Sequence, residues 1–385
     1  MRFEPSCKYK RIDQAVFAEG VVTAWISSDD EDTCWDAYLR EIPLGQYQQS
    51  TIWARTKKVE AWDSLRVVFT IENVIVGGFQ LLKRSSWWGK IGYVSKGPVL
   101  WPDCPALSLY VIAILCKVVR REGLWALVIQ PPNQCVQMSA RLSAAGFLPN
   151  VLIDIIEATW IVDLRGGFEE VEKRMRKTAR NQVRQAVKKG LTYREGEKEE
   201  LGTFFDLMLA TCRRQGVEPQ PSDVRSFLAL WDASREAGCA RLSFVEYKGK
   251  PIAGNISIMF GQVVTIYKKG WNSVEGNPNP NDFLWYEELK WASSSGYQFC
   301  DFVGFDTRMA ITMLRGEPKS DEQKRSRYEF FTHFGGSPRL LPEARVYFPN
   351  PAVRLAYRVI FYNKIRRVKE NRRLVDQTID LSLNV

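Results

Sequence analysis

The 385-residue chain has one histidine, His333, and eight cysteines that never form a CxxC pair. A zinc site built from a local cluster of soft ligands is thereby excluded, and reduced structural thiols are expected. No stretch reaches the roughly 20 apolar residues that a membrane-spanning helix needs. The longest apolar run, residues 107–119, is interrupted by Ser108 and Lys117. The opening MRFEPSCKYKR lacks the apolar centre of a secretory leader, so a cytoplasmic protein is expected. Glycine is missing where a pyrophosphate cradle would need it. The expected helix starts near Pro105 and Asp282 read PDCPA and NPNPND, with no R/Q-x-x-G-x-G/A loop before them.

Positive charge, in contrast, is plentiful. A net charge of +10 points to an anionic partner: RNA, a nucleotide diphosphate or an acidic membrane face. Much of it sits in residues 173–190, KRMRKTARNQVRQAVKKG, with eight basic residues in eighteen and no acid. Arg176, Arg180, Arg184 and Lys188 recur every four residues and would line one face of a helix. Met175, Ala179, Val183, Ala186 and Val187 supply an apolar stripe opposite. Like charges at this spacing cost about a few tenths of a kcal/mol per pair, which a polyanion would offset. A solvated basic face is the alternative. A second basic run, KIRRVKENRR at 364–373, belongs to a final amphipathic helix expected over 352–373.

The length suggests two domains. Residues 1–16 read as loose chain or a short strand. A helix is expected at 47–62, then strands at 65–69, 74–82 and 89–94. A buried helix at 107–121 and a strand at 124–129 follow, with an apolar strand at 153–162. After the basic helix come helices at 199–215 and 222–237 and strands at 240–247, 251–260 and 263–271. A helix at 282–295 and a strand at 298–303 follow, then a short helix at 328–334 and a strand at 345–348. Residues 306–321 read as an irregular loop, long enough for an active-site lid. Both halves thus run helices, three-strand meander, helix, strand. That is the order of the fold related to N-acetyltransferases. The expectation is an α/β (α+β) chain: two GNAT-like acyltransferase domains in tandem, with mixed sheets flanked by helices. The first spans 1–164, completed by 337–385, and the second spans 165–336.

Six blocks appear in a familiar order: QQSTIWARTKK, GYVSKGPVL, RNQVRQAVKKG, TCRRQGV, FLWYEELKWASSSGYQFCDFVGF and FFTHFGG. On these the chain resembles the Fem family of aminoacyl-tRNA-dependent peptidyltransferases. The resemblance implies an aminoacyl-tRNA donor and a peptide or nucleotide-linked acceptor amine. It also implies a role in cell-wall or small-peptide natural product biosynthesis, with no cofactor and no DNA partner. Such chemistry asks little of the protein, because the ester is already activated. The enzyme must hold the two reactants close and stabilise an oxyanion.

Lys57 and Arg214 fall on family positions that bind acceptor phosphates; their neighbours Lys58 and Arg213 leave the register open by one. Tyr93, Lys96, Gln130, Tyr267, Lys268 and Trp271 complete the candidate substrate-binding set, with core packing as the alternative for the aromatics. The basic helix offers Arg176, Lys177, Arg180, Arg184 and Lys188 to tRNA phosphates. Two positions depart from the family pattern. Gln130 stands where an acid is expected, and Phe331 stands where a lysine is thought to help stabilise the transition state. Glutamine cannot act as a base, and phenylalanine offers neither charge nor donor. Lys324, Arg325 and Arg327 are candidates for a displaced cation, and His333 for a general base, against simple packing. Asp301 either orients a group at the cleft or caps structure. Two other readings stay open: a thioester (acyl-CoA) dependent N-acyltransferase, and an RNA- or membrane-binding protein. In either enzyme reading, the C-terminal basic helix offers a peripheral membrane contact.

Overall fold

The computed structural model describes residues 9–366 and 368, apart from 88, 236 and 274–278. The chain divides into two compact units, residues 1–155 with 341–385, and residues 156–340.

The first unit opens on a hairpin, β1 (Lys10–Phe17) and β2 (Gly20–Ser27). Of the two readings of residues 1–16, loose chain or a short strand, the strand is found over Lys10–Phe17. Its partner β2 shows the alternation of a half-buried strand: Val22, Ala24 and Ile26 are buried. Asp32 caps α1 (Thr33–Glu41), and Ser50 caps α2 (Thr51–Lys58) after a 3-10 turn at Tyr47–Gln49. A meander follows: β3 (Asp63–Ile71), β4 (Val74–Ser86) and β5 (Gly89–Ser95). The short β6 (Val99–Leu100) pairs with β4. In α3 (Pro105–Arg121), Leu107, Val111, Ile114, Leu115 and Val118 are buried at helical spacing. β7 (Leu124–Gln130) then lies parallel to β5. α4 (Val136–Ala144) and β8 (Leu148–Pro149) end this stretch.

The second unit starts with β9 (Ala158–Asp163), α5 (Phe168–Arg174) and α6 (Lys177–Lys188). β10 (Thr192–Gly196), α7 (Leu201–Gln215) and α8 (Arg225–Ser234) lead to its own meander. That meander is β11 (Ala240–Tyr247), β12 (Lys250–Phe260) and β13 (Val263–Trp271). Next come α9 (Pro280–Ser294), β14 (Phe299–Asp301), α10 (Thr307–Leu314) and α11 (Asp321–Arg325). A 3-10 helix at Glu329–Phe334 and β15 (Ser337–Leu340) close it. The chain then returns to the first unit with β16 (Arg345–Tyr347) and α12 (Pro351–Ile360).

Among the described residues, the first sheet runs β1-β2-β3-β4-β5-β7-β16-β8, and the second runs β10-β11-β12-β13-β14-β9-β15. The expected mixed sheets flanked by helices are therefore present twice. The hand-over between units lies earlier than expected at one end and later at the other. β9 was expected to finish the first sheet, but its edges pair with β14 and β15 of the second. The expected lid over 306–321 instead contains α10, capped by Asp306, and ends where α11 begins. Among the described residues no helix is long and apolar enough to cross a membrane.

Candidate functional site

The second unit has a wedge at its centre. β13 and β14 run parallel but pair only over Val263–Thr265. Beyond that point β13 stays with β12, while the chain after β14 follows β9: the Phe302 and Phe305 amides donate to the Trp160 and Ala158 carbonyls at 3.0 and 2.9 Å. A bulge at Tyr267 marks the same stretch, since Ile256 faces Lys268 while Ser257 faces Ile266. Gly270 turns toward α7, where a Cβ would lie 2.3 Å from the Met208 nitrogen. Alternation therefore turns Lys269 to the other face, into the wedge.

Aromatic rings surround Lys269. Its Nζ lies 4.0 Å from the Trp285 ring centroid, 5.0 Å from Phe331 and 5.4 Å from Phe330. Trp285 packs in turn against Phe302 in a tilted pair, with centroids 4.1 Å apart. Burial among these rings, reinforced by the Arg327 charge, holds the ammonium down to about 7. At the start of α9, burial pushes the Asp282 carboxyl up to about 7. Sequence reasoning missed both groups. The available signal for Lys269 was a paired lysine, IYKKGW, inside a strand that otherwise reads as buried.

Several expected residues gather nearby. Arg214, at the end of α7, stacks on Trp271 at 4.0 Å and donates to its carbonyl at 2.9 Å. Arg213 beside it is exposed. Lys268 lies 5.4 Å from the ring of Tyr267, which itself packs edge-on to Phe227. Arg327 donates to Gln215 Oε1 at 2.9 Å and to the Tyr328 hydroxyl at 2.8 Å. Lys324 and Arg325 are exposed on α11, and Lys324 pairs with Asp321 at 3.4 Å. Their charges are spent on solvent and a neighbouring acid, which makes them poor choices for the displaced cation.

His333 sits on the far side of Phe330, with ring centroids 5.9 Å apart. Its imidazole is held below its ordinary value, first by burial and then by Arg176. Asp301 accepts from Thr159 Oγ1 and from the Val303 amide. It thereby fixes Val303, a β-branched residue at φ 44°. Asp301 is thus a positioning group at the strand end.

The single basic helix expected over 173–190 is two helices. Met175 and Arg176 are extended between α5 and α6, and the Arg176 amide donates to the His333 carbonyl at 3.0 Å. That bond takes the donor that a continuous helix would have used. Arg176 also pairs with Glu329 at 2.7 Å, so it leaves the expected ladder. Ala179, Val183 and Ala186 are buried, whereas Val187 is exposed, which narrows the expected stripe. Lys177, Arg184 and Lys188 are exposed and Arg180 is half-buried. Arg184 donates to Asn181 at 3.2 Å.

In the first unit, Tyr93, Lys96 and Gln130 come together where β5 and β7 end. The Ser95–Gln130 pair closes the parallel ladder, and the Gly97 amide donates to the Gln130 carbonyl at 3.0 Å. Lys96 is buried at φ 57°. The QQS block turns out to be scaffolding. Gln49 Nε2 donates to the Ser95 carbonyl at 2.6 Å, and its Oε1 accepts from the Gln80 amide at 2.7 Å. Lys57 and Lys58 sit at the other end of α2. Lys57 pairs with Glu60 at 2.8 Å over the Trp53 ring, and Lys58 pairs with Asp30.

Residues 173–309 match the acetyltransferase (GNAT) domain family. The lipid II:glycine glycyltransferase of Staphylococcus haemolyticus is 29% identical over 234 residues, 57% of this chain and 55% of that protein. Its namesake from Staphylococcus aureus (strain MRSA252) is 28% identical over 228 residues, 56% of this chain and 53% of that protein. The chain thus spans about half the length of the curated relatives it matches. Among solved structures, FemX shares the fold with a TM-score of 0.70 at 20% identity, over 85% of this chain and 97% of that one. The second unit therefore carries a GNAT domain, and the chain is a homologue of the Fem-type lipid II:glycine glycyltransferases.

Proposed function

We propose that the protein is an aminoacyl-tRNA-dependent aminoacyltransferase that forms an amide on an amine of a peptide-bearing acceptor. The observation that carries this reading is the homology to lipid II:glycine glycyltransferases. A cell-wall precursor is the first acceptor class to test, and a small-peptide intermediate is the second. The acceptor amine attacks the ester carbonyl, a C–N bond forms, and the ribose oxygen leaves with the proton the amine gives up. No residue triad is required, because the ester is activated before it arrives.

The reading assigns roles to groups already described. Tyr93, Lys96 and Gln130 are the candidate acceptor contacts of the first unit. Lys57 and Lys58 would exchange the carboxylates of Glu60 and Asp30 for acceptor phosphate. Arg180, Arg184, Lys177 and Lys188 are the candidate contacts for tRNA phosphates. An acyl-CoA donor is disfavoured because Asp282 stands in the first turn of α9, where a pyrophosphate would meet a carboxyl group. For the membrane contact, α12 exposes Leu355, Val359 and Ile360 beside Arg358. These suit the surface of an anionic bilayer. Part of the basic run at 364–373 lies outside the described residues.

The test is transfer of labelled amino acid from a panel of charged tRNAs to lipid II and to its soluble nucleotide-linked precursor. RNase-sensitive transfer to either supports the reading. No transfer from any tRNA, together with tight acetyl-CoA binding by calorimetry, would overturn it.

A further inference from the structure

We propose that Lys269 and the Trp285 indole N–H form the oxyanion site of the second unit, with Lys269 as the catalytic cation. The proposal deepens the transferase reading and rests on it for the identity of the reaction. Among the described residues, Lys269 has no carboxylate and no hydrogen-bond acceptor, only the three rings. Its cross-strand partner on β12 is Asn255. That side chain is fully buried; Nδ2 donates to Ser257, while Oδ1 has no partner. The Trp285 indole is also fully buried, and its Nε1 has no acceptor. A polar group left unmatched in the interior costs about 1–3 kcal/mol. Here two donors, an ammonium and an indole N–H, share one wedge in that condition, and the unmatched Asn255 oxygen on the neighbouring strand is an acceptor. A second cation, Arg327, acts on Lys269, and its own partners are the neutral Gln215 and Tyr328.

Stability alone would not select this arrangement, but a bound anionic oxygen would satisfy its two donors. When the acceptor nitrogen adds to the ester carbonyl, the π electrons move onto the carbonyl oxygen. Lys269 and the Trp285 N–H stabilise that charge until the C–O bond to ribose breaks and the carbonyl reforms. The proton lost by nitrogen ends on the ribose oxygen, so atoms and charge balance. Low dielectric around the rings strengthens the interaction, and the fixed geometry avoids reorganisation at the moment of reaction.

The test uses Lys269→Met, which keeps the side chain's bulk, and Lys269→Met/Phe331→Lys, which returns an ammonium to the same cage from the opposite wall. Transfer from charged tRNA is measured alongside binding of aminomethylphosphonate, a tetrahedral anion, by ligand-observed NMR. Expected are a loss of about 100-fold or more in transfer rate for Lys269→Met, the usual cost of one oxyanion donor, with tRNA affinity unchanged. Phosphonate binding should weaken at least about tenfold, and the double variant should recover part of both. If wild type binds the phosphonate through Lys269 but transfers nothing from any tRNA, the site stands and the transferase reading falls. If wild type does not bind the phosphonate, or if Lys269→Met transfers within about threefold of wild type, the oxyanion site is wrong.

Discussion

The two units carry the same parallel strand pair and treat its end in opposite ways. In the first, β5 and β7 stay paired to Ser95 and Gln130, and neutral amides of Gln49 and Gln80 tie the neighbouring loops to that end. In the second, β13 and β14 part after three residues, and the gap holds an ammonium among rings. A closed, hydrogen-bonded end makes a rigid shelf that can hold a ligand in register. An open end with an uncompensated charge makes a place where charge can develop. Under the proposed transferase reading, the difference would divide the labour, with acceptor positioning in one unit and bond-making in the other.

The sharpest way to break this comparison is to attack the buried polar frame of the second unit. Glu288 is fully buried and accepts from Tyr193, Arg241 and Ser243 on one oxygen and from Ser257 on the other. Arg241→Met strands that carboxylate, and urea denaturation should show a loss of about 3–5 kcal/mol. A loss under about 1 kcal/mol would mean that the frame relaxes and that the wedge is not rigidly held. The matching change in the first unit is Gln49→Ala. It removes an acceptor from the Gln80 amide and a donor from the Ser95 carbonyl, both inside the protein. The expected cost is about 2–4 kcal/mol. A near-neutral result would show that the shelf does not depend on its glutamine.

Much of this frame was legible in the sequence, and its failures have physical causes. Both meanders were readable because alternation and glycine turns are local signals. The tandem fold followed from their order. The charge of the basic segment was equally plain, but its break at Met175–Arg176 was not. A hydrogen bond to His333, 157 residues on, overrides a good helical pattern there. Likewise β9 was placed in the wrong sheet, since an apolar strand does not announce its partner. The site was the least legible part. Lys324, Arg325 and Arg327 stand out in the sequence only by their proximity to Phe331. Lys269 lies 62 residues before Phe331 and meets it only because β13 passes beneath the 3-10 helix.

Acid and base titration sharpens the comparison next, because Lys269 and Asp282 of the second unit pull stability in opposite directions. The Lys269 value falls from 10.5 to about 7. Between those limits the unfolded chain keeps a proton that the folded chain has released, so this residue's contribution to stability rises with pH. Lys269→Met should therefore be more stable than wild type at pH 7, with the gap narrowing toward pH 10. Asp282 moves from 3.8 up to about 7. Between those values the folded chain holds the extra proton, so this group's contribution falls as pH rises. Asp282→Asn should gain on wild type from pH 4 to 7. Arg327 is the charged neighbour that acts on Lys269, whereas Asn255, Trp285, Phe330 and Phe331 do not titrate in this range. Denaturation midpoints of the two variants and wild type across pH 4–10 separate the limbs, and parallel curves would contradict both shifts.

The smallest effect on stability is expected on α6, where the proposed partner is outside the protein. Arg180 and Arg184 have no carboxylate partner among the described residues, and α6 is held by Ala179, Val183 and Ala186 on its other face. Reversing both to Glu should change unfolding free energy by less than about 1 kcal/mol, because exposed charges contribute little to folding. Binding of tRNA should respond much more. Phosphate contacts release counterions, so affinity falls steeply with salt, and each lost contact flattens that slope. The double variant should bind tRNA more weakly at low salt and show a shallower salt dependence than wild type. Arg176→Gln is the control: its guanidinium is already paired with Glu329, so it should change the salt slope less. Equal slopes for wild type and the Arg180/Arg184 variant would place the tRNA path elsewhere and leave α6 as a solvated basic face.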